Sequence, residues 1–345
     1  MLPFSPATDD ALDEYLSRPT VGVRETVGGT TGDIAVLGAG GKMGFHLAWM
    51  LQRAVEDLGQ AGRRSVVAVS RFGSAEARER FERRGIAVRS ADLCEGDAVA
   101  ALPDFPNVFF LAGMKFGTAH EPGLLERFNV AMPRLVAERF ADAAIVALST
   151  GCVYSFVTPE SGGSTEADAT APVGDYAISC LGRERVFREA AATRGTRSAL
   201  IRLNYAIDLR YGVLVDIAQK VRAGEPVDVT MGYVNVIWQR DALAHIVQAL
   251  PRVAAPPFVL NVTGADILRV RDLAEAFGRR FDRPARVVGE ESPTAWLNQA
   301  ALSHQLFGQP DVPVADMVEW IATWLESGGG TLGKPTHFET RDGQY

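Results

Sequence analysis

Cysteine is scarce in this chain. There are three in 345 residues, Cys94, Cys152 and Cys180. An odd, scattered set suits neither a disulfide framework nor a zinc site. A reducing, cytoplasmic setting is the expectation. The five histidines show no metal-ligand spacing, so no metal is expected. Basic residues are not in excess: 35 Lys and Arg stand against 42 Asp and Glu, a net charge of −7. Such a chain has no general attraction to nucleic acid or to an anionic membrane, and neither partner is expected. No uncharged apolar run reaches the roughly 18 residues of a membrane-spanning helix. Met1–Thr20 carries Asp9, Asp10, Asp13 and Glu14 without an apolar run, which is unlike a secretory signal. There is no internal repeat.

What is present is enough apolar residue for a large core, 47% of the chain. At 37.1 kDa, surface scaling gives roughly 14,000 Å² folded against roughly 54,000 Å² unfolded. One large domain or two fused ones fit that ratio. Residues 1–32 read as an extension, with Thr8 capping a short helix to about Ser17 and Gly28–Gly32 as a flexible link. From residue 33 strand-like runs recur at 65–70, 86–89, 107–112, 143–149 and 198–203, after a first at 33–37. Helical stretches near 42–58, 74–84, 121–139 and 176–194 separate them. This alternation predicts an α/β fold, a Rossmann-like doubly wound parallel sheet. Beyond residue 207 the rhythm breaks, with helices expected near 270–280, 293–307 and 313–326. The domain reading is therefore a dinucleotide-binding lobe at 33–207 plus 234–252, and a smaller mixed substrate-binding lobe at 208–233 plus 253–327. The polar, Gly-rich segment 328–345 reads as an irregular tail.

After the first strand comes Gly38-Ala39-Gly40-Gly41-Lys42-Met43-Gly44. Glycines at 38, 41 and 44 allow a tight turn, close backbone approach to a pyrophosphate, and close helix–sheet packing. A strand before and a helix after make the string a specific sign of a dinucleotide cofactor, NAD or NADP. At the end of the second strand stand Ser70 and Arg71, where an NAD site favours an acidic residue; a cation there leans toward NADP. Asp92 and Leu93, after the third strand, are placed beside the adenine or else cap the next turn.

Four further segments follow in order: Leu111-Ala112-Gly113-Met114-Lys115, Ser149-Thr150-Gly151-Cys152-Val153-Tyr154, Thr165-Glu166 with Pro172, and Tyr176-Ala177-Ile178-Ser179-Cys180. With the glycine turn, the set resembles the extended short-chain dehydrogenase/reductase family, of the NAD-dependent epimerase/dehydratase type, from about residue 33 to 325. The resemblance implies that Tyr176 is the general acid/base and that Thr150 orients the substrate oxygen. It implies that Leu111, Ala112, Gly113 and Lys115 border the cofactor, and that Asn204 contacts substrate. It places Asn129 where an asparagine ties its helix to the fourth strand. It also implies a homodimer through the helices at 121–139 and 176–194.

The chain departs from the pattern at one point. The family's motif carries a lysine four residues after the tyrosine, one helical turn away on the same face. That position is Cys180, which the resemblance still sets beside the cofactor. A neutral thiol does not lower the tyrosine pKa. The Lys115 loop is similar to a stretch of UDP-galactose 4-epimerases, and Lys115 is the expected replacement charge. Gly151-Cys152 after Thr150 disfavours a dehydratase, whose elimination step needs an acid and a base there. The expected activity is an NAD(P)-dependent epimerase or oxidoreductase working on a hydroxyl or ketone of a sugar-like small molecule. The alternative is a silent dinucleotide-binding sensor of the same fold. His46 and His120 are weighed as packing and helix-entry residues, and Asp241 as a helix cap.

Overall fold

The computed structural model describes residues 6–115 and 123–343. His120 lies outside them. The strand-like runs fold as strands: β1 (Ile34–Leu37), β2 (Val66–Ser70), β3 (Ala87–Ser90), β4 (Asn107–Phe110), β5 (Ala144–Thr150) and β6 (Arg197–Leu203). All pair in parallel, and the chain's order across the sheet reverses between β1 and β4. β1 and β4 are buried along their whole length, as expected of strands covered on both faces. The accessible surface, 14181 Å², agrees with the scaling value.

Two apolar layers cover the sheet. One joins it to α2 (Val21–Gly28), α3 (Gly44–Asp57) and the Gln239–Gln248 helix. The other joins it to the Met132–Arg139 and Asp175–Arg194 helices. A separate core holds the Val213–Ala223, Val270–Arg280 and Val314–Glu326 helices of the smaller lobe.

Four features differ from the sequence reading. The described part of the N-terminal extension, residues 6–32, is built into both cores. Thr8 caps α1 (Asp9–Leu16) as expected, accepting a bond from Ala11 N, and α1 buries Leu12 and Leu16 in the smaller lobe. Thr20 caps α2, which buries Val23 and Val27 against the sheet. The Gly28–Gly32 link is pinned, because Arg64 donates to the carbonyls of Val27 and Thr30 and Asn107 donates to that of Thr31. Next, Phe258–Val262 pairs with β6 as a seventh strand, although 253–327 read as belonging to the smaller lobe. The helix expected at 293–307 is confined to Ala301–Phe307, since Ala295, Trp296 and Leu297 pack as irregular chain in a local apolar cluster. Finally, Asp241 does not cap its own helix. Its carboxylate accepts from Val312 N at 3.0 Å, and burial pushes its pKa up to about 6.

Candidate active site

β1 and β4 lie side by side where the strand order reverses, and the crevice beyond their carboxyl ends is where an open α/β sheet binds ligands. The glycine turn sits there. Gly38 has φ +85, and a Cβ on it would meet Ala112 N at 2.6 Å. Only glycine satisfies both conditions. Gly44 packs against Ala39, where a Cβ would lie 2.5 Å from the carbonyl oxygen. Gly41 has no such crowding beyond the Gly38 oxygen, so its surface is left to the cleft. α3 begins here with no side chain capping its first turn. A cleft of about 880 Å³ runs along the turn, bordered by Gly38, Gly40, Gly41, Lys42, Met43 and Gly44, and then by Ser70 and Arg71. Its size and its glycine floor fit a dinucleotide.

Lys42 crosses that cleft. Its Nζ donates to the Ala206 carbonyl at 3.0 Å and lies 3.9 Å from Asp208. Burial lowers its pKa to about 8, against the pull of Asp208. Arg71 is mostly exposed and stands 3.9 Å from Asp92. Asp92 also accepts from Cys94 N at 3.0 Å, which is the turn-capping role.

The cleft opens into a cavity of about 250 Å³. Thr150, Tyr176, Lys115 and Asn204, drawn from four distant parts of the sequence, all line it, together with Leu111 and Gly113. β5 ends at Thr150, and the Thr150 hydroxyl accepts from Cys152 N at 3.2 Å. That bond leaves the hydroxyl proton to be donated into the cavity. Tyr176 lies in the first turn of the Asp175–Arg194 helix. Burial first, then the Cys180 and Cys152 thiols, hold its pKa well above the ordinary tyrosine value, and Arg183 opposes them. Burial likewise pushes the Cys180 thiol up.

Lys115 Nζ is 5.7 Å from the centre of the Tyr176 ring and 3.5 Å from the Thr336 carbonyl oxygen. Burial lowers its pKa from the ordinary lysine value. Asn129 holds this loop from behind. It donates to the Met114 oxygen at 2.9 Å, accepts from Met114 N at 3.0 Å and donates to Ser179.

Not every expected residue reaches the site. Cys180 is buried behind Tyr176 with Val153 and Tyr154, and Leu93 is in the core under the sheet; neither borders the cleft or the cavity. Ala112 packs on Gly38 rather than facing the cavity. His46 is a buried structural group bonded to Asp13 at 2.8 Å and Gln239 at 2.9 Å.

The sequence reading missed Arg183, Tyr211 and Thr336, which also line the cavity. Arg183 lies two helical turns after Tyr176, on the same face, and donates to the Leu148 carbonyl at 2.7 Å and to Asn129 at 2.6 Å. That spacing was available in the sequence. Thr336, in irregular chain, carried no signal.

A family model described as the NAD dependent epimerase/dehydratase family matches residues 34–208, half of the chain. The protein belongs to that family. Among solved structures, the fold is similar to UDP-glucose 4-epimerase from Thermotoga maritima, with a TM-score of 0.68 and 16% identity, covering 86% of this chain and 99% of that one. It is also similar to UDP-glucuronic acid 4-epimerase from Bacillus cereus in complex with UDP-glucuronic acid and NAD, with a TM-score of 0.68, 16% identity, and 85% and 99% covered. A UDP-galactose 4-epimerase is 23% identical, with a TM-score of 0.66 and 86% and 99% covered. No curated protein matches. Among the described residues, this member of the epimerase/dehydratase family has no helix long and apolar enough to cross a membrane, and no cluster of side chains able to hold a metal ion.

Proposed function

We propose that this chain is an epimerase or oxidoreductase that moves a hydride between a nicotinamide dinucleotide and a carbon bearing a hydroxyl or ketone in a sugar-like substrate. The observation that carries the reading is the single cavity holding Thr150, Tyr176, Lys115 and Asn204 at the end of the glycine-floored cleft. A bound nicotinamide supplies or takes the hydride. Thr150 donates a hydrogen bond to the substrate oxygen, and Asn204 holds a neighbouring polar group. Tyr176 exchanges the proton at that oxygen. Its raised pKa keeps the proton on the phenol at neutral pH, so the protein alone is set to donate it to a carbonyl. Taking a proton from a hydroxyl requires positive charge nearby. Lys115, 5.7 Å from the centre of the ring, and Arg183, which lines the same cavity, are cations in place for that. A ketone kept in the cavity and reduced from its other face gives epimerisation. A ketone that leaves gives net oxidation.

The cofactor in this reading is NAD. Arg71, the residue that leaned toward NADP, stands by the Asp92 carboxylate. Paired with that carboxylate, Arg71 offers less free positive charge to a 2′-phosphate. The similar Bacillus cereus enzyme was also solved with NAD. A homodimer through the Asp175–Arg194 helix remains part of the proposal, supported by the exposed Ile178 on it.

The test is Tyr176→Phe. Loss of the proton-exchanging hydroxyl is expected to lower kcat about 10²–10⁴-fold while NADH affinity stays within a few fold. Unchanged turnover would remove Tyr176 from the mechanism. A second reading, a silent dinucleotide sensor, is favoured by one observation: the position one turn after Tyr176 holds a buried neutral thiol. A sensor would bind NADH with no turnover for the substitution to lower.

A further inference from the structure

The segment after residue 330 borders the glycine-floored cleft from the side opposite the turn. Leu332 and Lys334 line it there, next to Asp208, Arg210 and Tyr211. The stretch is fixed on both sides of Lys334. Before it, Leu332 N donates to the Arg210 carbonyl at 2.9 Å. After it, Thr336 is 1% exposed, and its N–H and hydroxyl both donate to Asp216 Oδ2, at 2.7 and 2.6 Å. Asp216 belongs to the Val213–Ala223 helix of the smaller lobe. Irregular chain is thus held at the rim of the cleft by the lobe that faces the turn.

Two observations on this stretch point to a ligand. The first is charge. Lys42, Arg71, Arg80, Lys115, Arg210 and Lys334 border the cleft, and Asp208 is the one carboxylate among the bordering residues. Most of these cations are engaged within the protein. Lys42 lies 3.9 Å from Asp208, and Arg71 lies 3.9 Å from Asp92. Arg80 and Arg210 share the buried Asp13 carboxylate. Lys115 stands at the cavity end, by the Thr336 carbonyl and the Tyr176 ring. Lys334 is exposed, and among the described residues it is the cation of this set with neither an ion pair nor a hydrogen bond.

The second observation is apolar. Leu332 is 43% exposed at the rim of the same cleft. Burial of that side chain under a ligand is favourable, at roughly 25 cal/mol per Å² covered. The stretch therefore presents one open cation and one open apolar side chain to a cleft whose floor is backbone N–H and glycine. A pyrophosphate on that floor receives N–H donors from the turn and leaves its other oxygens facing the opposite wall. A lysine on that wall meets them with a charge-assisted bond.

We infer that Leu332–Lys334 is a second jaw of the cofactor site, in which Lys334 pairs with the pyrophosphate of the dinucleotide and Leu332 covers an adjoining apolar face of it. The inference rests on the redox reading above. It adds to that reading two residues that lie outside the 34–208 segment matched by the family model.

The experiment compares the full-length protein with Lys334→Gln and Lys334→Arg. Each is titrated with NADH, and separately with UDP, across a series of salt concentrations. Hydrogen exchange at the Leu332 amide is followed with and without saturating NADH. Lys334→Gln is expected to weaken NADH binding about three- to tenfold and to make its salt dependence shallower, with Tm unchanged. Lys334→Arg should stay within about twofold of the native protein, because it keeps the charge. NADH should slow exchange at Leu332. NADH affinity unchanged in Lys334→Gln, or weakened with the same salt dependence as the native protein, would overturn the inference. So would a loss confined to UDP, which would place Lys334 on a substrate diphosphate instead, and so would exchange at Leu332 that NADH leaves unaltered. Each of these leaves the redox reading standing. Failure of the native protein to bind NADH would take down the redox reading, and this inference with it.

Discussion

The glycine turn and the C-terminal segment border the same cleft from opposite sides, and they are held by different physics. The turn is fixed by what its residues lack. Gly38 carries no Cβ, so the backbone reaches a positive φ and touches Ala112. The C-terminal segment is fixed by what its residues add: two bonds to Asp216, the buried Phe338 ring, and the Arg341 bonds to Thr294. One side is a local rule that any reader of the sequence can apply. The other is a set of contacts between residues more than 40 positions apart, with no local pattern.

The sharpest way to break the contrast is Gly38→Val. It combines a strained φ with a clash against backbone, so NADH binding is expected to be lost, with a fall in Tm of several degrees. Retained NADH affinity would show that the turn tolerates a side chain and is not the cofactor floor. Phe338→Ala should act on the other side. It removes a buried ring from the smaller-lobe core, at a cost of about 3–5 kcal/mol in stability by denaturant titration. Folded protein at low temperature should keep its NADH affinity, since the ring touches the smaller lobe and not the turn. A loss of NADH affinity equal to that of Gly38→Val would erase the distinction.

A smaller effect comes from Lys42, which belongs to the turn but reaches the other side. Its pKa is lowered to about 8, so it is charged below that pH and neutral above it. Affinity for the anionic dinucleotide should therefore fall as pH rises through about 8. Lys42→Met should flatten that profile in a titration series from pH 6 to about 9.5. A variant with the same slope as the native protein would assign the pH dependence elsewhere.

Much of the larger lobe was legible because its signals are local. Short apolar runs bounded by glycine became β1, β2, β4 and β5 within a residue or two. Thr150, Tyr176 and Lys115, which the family resemblance set at the site, line one cavity. What escaped was non-local. α1 reads as a polar octapeptide, yet its Asp13 is buried against His46, Arg80 and Arg210, so a charge that looks solvent-facing joins two lobes. Phe258–Val262 follows a Pro-rich stretch, and only pairing with β6 shows it to be a sheet strand. Arg183 lay within reach of helical periodicity, seven residues after Tyr176 on the same face. Thr336 was beyond reach, since its place depends on Asp216, 120 residues earlier.

The redox site is the central claim, and cofactor binding tests it most directly. The protein, purified without added nucleotide, would be denatured and any released nucleotide weighed. The native protein would be titrated with NADH and NADPH in parallel. The account predicts one dinucleotide per chain, with NADH bound more tightly than NADPH. Absence of any released nucleotide, together with no saturable binding of either form, would contradict it.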